Sequence, residues 1–197
     1  MGYPLTWRGT RLGCLVSLGQ VSSDGIVLRD GARLLRFTYE DMLRYHGGSS
    51  PGGVAHAFKV LERGLPLLGT AGTLQRRQIE IETAFSGPGA RDGFELVTRA
   101  VTEDRYRVSE ALTRSELGPE RERFVFRLSD GTHSSTLTVR AGFVTPEFLE
   151  LSRQPVRSAA AERRFDALKA DMATRVMAAP AEQVYDVEGP RAGQARV

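Results

Sequence analysis

The stretch Gln78-Ile79-Glu80-Ile81-Glu82-Thr83-Ala84-Phe85-Ser86-Gly87-Pro88-Gly89-Ala90-Arg91-Asp92 changes its hydrophobic period partway along. From Gln78 to Phe85 apolar and polar residues alternate. Ile79, Ile81 and Phe85 fall on one face and Glu80 and Glu82 on the other, as a strand with one buried face requires. Ser86-Gly87-Pro88-Gly89 interrupts the alternation, and Ala90, Phe94, Val97 and Val101 then recur at helical spacing. The unit is strand, glycine turn, helix.

Upstream, Val54, Ala57, Phe58, Leu61 and Leu65 predict an amphipathic helix with one apolar stripe. A shorter helix precedes it, capped by Thr38, carrying Glu40 and Asp41 where the positive end of the helix dipole favours acids, and running to about Tyr45. Residues 1–36 read as an extended N-terminal arm with a hairpin around Asp30 and Gly31. Downstream, Arg123 to Leu128 and Ser135 to Arg140 flank Asp130-Gly131 as a second hairpin, so part of the sheet is antiparallel. Thr145-Pro146-Glu147 opens a short helix, and Ser158 to Ala179 forms the longest one, with Phe165, Leu168, Met172 and Val176 on one face and Pro180 as its stop. The expected architecture is α+β, with helices packed on a partly antiparallel sheet. One domain spans 37–185 and a flexible tail covers 186–197.

Composition narrows the function classes. A chain of 197 residues suits one core, and 41% hydrophobic against 26% charged residues is globular usage. A mean hydropathy of -0.27 and the lack of a long apolar run predict a soluble chain with no membrane partner. The single cysteine, Cys14, rules out an internal disulfide and fits a reducing, cytoplasmic setting. The net charge is +3, but arginines alternate with acids and form no basic run, so no nucleic-acid partner is expected.

Chemistry concentrates in Tyr45-His46-Gly47-Gly48-Ser49-Ser50-Pro51-Gly52-Gly53, a helix-to-helix junction. Exposed N–H groups at a helix start suit an anion, His46 can exchange a proton near neutral pH, and Ser49 or Ser50 can donate a hydrogen bond. A purely structural use is equally open, with Ser50 as the N-cap ahead of Pro51 and the glycines meeting turn geometry. Glu80, Glu82, Arg91 and Asp92 surround the second glycine turn, which lacks the residues of a nucleotide loop. His56, opposite the apolar stripe of its helix, and His133, in the hairpin loop, are expected on the surface. None of the histidine or cysteine spacings predicts a zinc site.

The order of these elements resembles the formylmethanofuran dehydrogenase E-like family over roughly Phe37 to Leu151. In that family the first motif reads aromatic, His-Gly-His, one residue, Cys-Pro-Gly, and the second follows a Glu-Thr or Glu-Ala strand with a Cys and then an Asp. His46 matches the first motif's His and Pro51-Gly52 its Pro-Gly, while Gly48 stands in place of the second His and Ser50 in place of the Cys. Glu82-Thr83 matches the second strand, Phe85 or Ser86 takes the position of its Cys, and Asp92 matches its Asp once an insertion is allowed at the glycine turn. The resemblance implies a fold like the C-terminal domain of glyceraldehyde-3-phosphate dehydrogenase and a homodimer. It does not carry the family's metal chemistry across.

The expectation is a metal-independent small-molecule enzyme or ligand-binding domain with no cofactor. His46 serves as acid or base, Glu82 as a polarising group and Asp92 as the partner that orients His46. Tyr45, Ser49, Ser50, Gly52, Gly53 and Arg91 make up the ligand-binding set, with Arg91 clamping an anion. The alternatives are a non-catalytic partner protein that uses its long C-terminal helix, and a metal held by His46 with carboxylates.

Overall fold

The computed structural model describes residues 25–70 and 72–188. Strand β3 (Glu80–Thr83) shows the alternation its sequence predicts, with Ile81 and Thr83 buried and Glu80 exposed. It pairs in parallel with β4 (Tyr106–Val108) and antiparallel with β5 (Val125–Ser129), which continues through β6 (Ser134–Val139) to β7 (Tyr185–Val187). Across the strands, Tyr106, Ile81, Leu128 and Ser135 form a row on one face, and Arg107, Glu82, Arg127 and Thr136 form a row on the other. The apolar face carries the helices.

Helix α2 (Pro51–Gly64) is the centre of that layer, and every residue from Val54 to Leu61 is buried. Glycines let its neighbours come close. A Cβ on Gly53 would lie 3.0 Å from Ala90 N on α3 (Pro88–Thr98), and one on Gly52 would lie 2.9 Å from Met172 Sδ on α5 (Ala159–Ala178). At its far end Gly64 rests on Leu137 and Leu128 of the sheet. Helix α1 (Tyr39–His46) packs across α2 and α3, with Met42 wholly buried. The predicted cap is present: Thr38 Oγ1 accepts the Asp41 N–H and Asp41 accepts the Thr38 N–H. Helices α4 (Pro146–Ser152) and α6 (Ala181–Val184) complete the set, α4 packing on α5. Among the described residues no helix is long and apolar enough to cross a membrane.

Both ends of the predicted domain need correction. The hairpin of β1 (Ile26–Asp30) and β2 (Arg33–Phe37) belongs to the domain, because Ile26 and Leu28 are buried in the main core. Arg76 fastens it: its guanidinium reaches Asp30 on the hairpin and the Leu96 and Val97 carbonyls at the negative end of the α3 dipole. At the other end, Asp186 lies within β7 instead of a tail, and Glu188 accepts two hydrogen bonds from Arg114. The expected arm over 1–24 and the tail over 189–197 fall outside the described residues.

His56 is also corrected, from surface to core. Because α3, α5 and the sheet cover α2 from Val54 to Leu61, no side of that stretch is left for solvent, and His56 has no exposed surface. Its Nδ1 shares a 2.6 Å hydrogen bond with the buried Tyr185 hydroxyl, its ring lies beside Phe124, and Nε2 has no hydrogen-bond partner among the described residues. Burial, with a smaller contribution from the charge of Arg175, pushes His56 down to about 3. The unfolded chain takes up this proton near 6.5 and the folded chain only near 3, so between those values acid favours unfolding. Urea titrations at pH 7 and pH 5 should show the chain losing about 2 kcal/mol more stability than its His56→Gln variant; equal losses would exclude a neutral buried imidazole.

Candidate functional site

His46 is the last residue of α1, and the turn after it decides where its ring points. Gly47 takes the left-handed conformation with φ 78° and donates its N–H to the Leu43 and Arg44 carbonyls, closing the helix. Gly48 repeats the conformation with φ 81°. A Cβ at either position would meet nothing within 4 Å, so backbone conformation, not space, favours glycine here. The double reversal returns the chain to the helix end, where Ser49 Oγ lies 3.2 Å from His46 Nε2.

The other ring nitrogen is held from a different element. Asp92, one turn into α3, places Oδ2 2.8 Å from His46 Nδ1, while Oδ1 lies 3.5 Å from an Arg91 guanidinium nitrogen. The His46 side chain is only 4% exposed and that of Asp92 27%, whereas Ser49 is open to solvent. The carboxylate accepts an N–H from Nδ1, which leaves the Nε2 lone pair facing the hydroxyl. Serine, imidazole and carboxylate thus form one hydrogen-bonded line that begins in solvent and ends between two helices.

The rest of the predicted set divides. Tyr45 and Arg91 are exposed beside the line, 49% at Tyr45 and 52% for the Arg91 side chain. Ser50 occupies the N-cap of α2, but its hydroxyl makes no capping bond; its carbonyl accepts the Val54 N–H. Gly52 and Gly53, expected as ligand contacts, are instead spent on packing against α5 and α3. Gly89 closes the same junction, since a Cβ there would fall 2.3 Å from the Ser50 carbonyl oxygen. Helices α2 and α3 therefore begin side by side, and two positive dipole ends meet next to the serine turn.

Glu82 does not join His46. With Ile81 and Thr83 turned toward the helices, the period of two sends Glu82 to the opposite face, where it pairs with Arg127 at 3.0 Å. The alternation that identifies the strand already rules out this partnership. The contact that sequence reasoning missed is the one between Ser49 and His46, and its signal is the spacing. Three residues beyond a helix-terminal histidine, across two glycines, a serine is within reach of the ring once the helix ends in a left-handed turn. Among the described residues, no group of three or more His, Cys, Asp or Glu side chains is arranged to hold a metal ion.

If Asp92 sets the tautomer, the neutral His46 ring should carry its proton on Nδ1, and Asp92→Ala should move it toward Nε2. Two-bond proton–nitrogen correlation spectra at about pH 8 read this directly. An unchanged tautomer would show that the carboxylate does not control the ring.

The chain matches no family model, no curated protein and no solved structure, so the reading of this site rests on its own residues.

Proposed function

We propose that this protein binds and chemically transforms a small molecule at the turn following α1, with His46 as a metal-independent proton acceptor and donor. The observation that supports the reading most is the 2.8 Å contact between His46 Nδ1 and Asp92 Oδ2. Two residues 46 apart in sequence, on different helices, must meet to make it, and its effect is to aim Nε2 at an exposed turn. A histidine needed only to finish α1 has no use for a carboxylate from α3, because Gly47 already closes that helix through backbone bonds. Arg91 and the paired helix starts favour a substrate with an anionic or polar group. The lone cysteine suits a cytoplasmic setting, and the family resemblance suggests a homodimer.

Native mass spectrometry of the purified chain, with elemental analysis of the same sample, reads retained organic ligand, metal content and subunit number together. A small-molecule screen followed through the His46 ring resonances then tests the site. Ligands that shift those resonances should bind His46→Ala at least about tenfold more weakly, the loss expected for one hydrogen bond to a charged or polar group. Ligands that bind both forms equally would place the pocket elsewhere.

A further inference from the structure

We propose that Ser49 is a nucleophile and that the protein catalyses acyl transfer from small carboxylic esters or thioesters to water; this rests on the reading of His46 given above. The geometry has the three parts such chemistry needs. A hydroxyl lies 3.2 Å from a ring nitrogen, the opposite ring nitrogen lies 2.8 Å from a carboxylate, and the hydroxyl is exposed while the base is shielded. Among the described residues, the N–H groups of Gly48, Ser49 and Ser50 donate to no protein acceptor, so the turn that presents the hydroxyl also offers donors to a developing oxyanion.

A turn-stabilising hydrogen bond is the competing explanation for the Ser49 contact, and two facts weigh against it. The turn is already closed by Gly47, whose N–H bonds to two carbonyls. The imidazole is moreover oriented by Asp92, a group that a local serine–histidine contact does not require.

The step balances within these groups. Ser49 Oγ bonds to the substrate carbonyl carbon as its proton passes to His46 Nε2. Collapse of the tetrahedral adduct breaks the bond from that carbon to the alkoxide or thiolate, which leaves with the proton from His46. Water, deprotonated by His46, then attacks the acyl-serine, and Oγ regains its proton as the carboxylic acid departs.

Intact-mass and peptide-mapping spectrometry of the full chain after treatment with diisopropyl fluorophosphate tests the proposal, alongside the burst of nitrophenol released from p-nitrophenyl acetate. One adduct per chain is expected, mapped to Ser49, absent in Ser49→Ala and retained in the remote Ser134→Ala. Labelling should slow by roughly 10²- to 10⁴-fold in His46→Gln and in Asp92→Asn. Should Ser49→Ala fail to fold, Ser49→Cys provides the second reading: its thiol should be alkylated by iodoacetamide at a rate that depends on His46. An unmodified Ser49 in the folded chain, or an adduct that survives Ser49→Ala, overturns the nucleophile. If His46 resonances still respond to a bound small molecule in that case, the broader proposal stands without it; if they do not, both fall.

Discussion

Where α2 and α3 begin, their backbones lie against each other with no side chain between them. Gly89 sits under the Ser50 carbonyl and Gly53 against the backbone at Gly89 and Ala90, at distances where even a methyl group would force a shift. Close-packed interiors have no slack to absorb such a shift, and overpacking of this kind costs about 1–3 kcal/mol. Further along the same pair of helices the pattern repeats, with Gly93 against Ala57 and the Met42 side chain. The relative placement of α1, α2 and α3 follows from these contacts, and so does everything that depends on their ends.

The candidate site is one such dependent. Asp92 lies three residues beyond Gly89 and next to Gly93, so the contact that brings α3 onto α2 also sets the height at which its carboxylate meets α1. His46 reaches that level because α1 lies across both helices and ends there. Ser49 and Ser50 lie in the short connection between α1 and α2, so the serine turn, the imidazole and the carboxylate share one rigid junction. Functional groups supported by helix ends locked through backbone contact need little reorganisation to act.

A second polar arrangement lies deeper. His56 and Tyr185 pair within the core where α2 meets β7, and Phe124, Phe126 and Phe85 continue from them in a run of aromatic contacts. A buried imidazole with one nitrogen unpartnered among the described residues costs about 1–3 kcal/mol in lost hydration, which sets this pair apart from the surrounding apolar core. On the far side of the sheet the polarity is reversed. Glu82, Arg127 and Thr136 form a solvated row, and Leu112 with Ala84 and Val125 makes a small separate apolar cluster.

Period and punctuation in the sequence are enough for most of the fold. The Thr38 cap, the apolar stripe of α2, the alternation in β3, the hairpin at Asp130-Gly131 and the Pro180 stop are local signals, and each element forms where its residues predict. The short strands β4 and β7 have no such signature because three-residue strands carry too little pattern; pairing with β3 and β6 makes them strands. The hairpin at residues 26–37 is marked by its Asp30-Gly31 turn, but nothing local shows that it joins the domain; Arg76 and the core hold it there. His56 is misplaced because a helical wheel registers one apolar stripe but not how many neighbours will cover the remaining sides. At the site, residue types and the special backbone of Gly47 and Gly48 can be read locally, and they bring Ser49 to His46. That Glu82 faces away from the ring follows from the alternation of its own strand; that Asp92 meets the ring depended on the crossing of α1 and α3, which arises from long-range packing and has no counterpart in neighbouring residues, so only the tertiary structure could decide it.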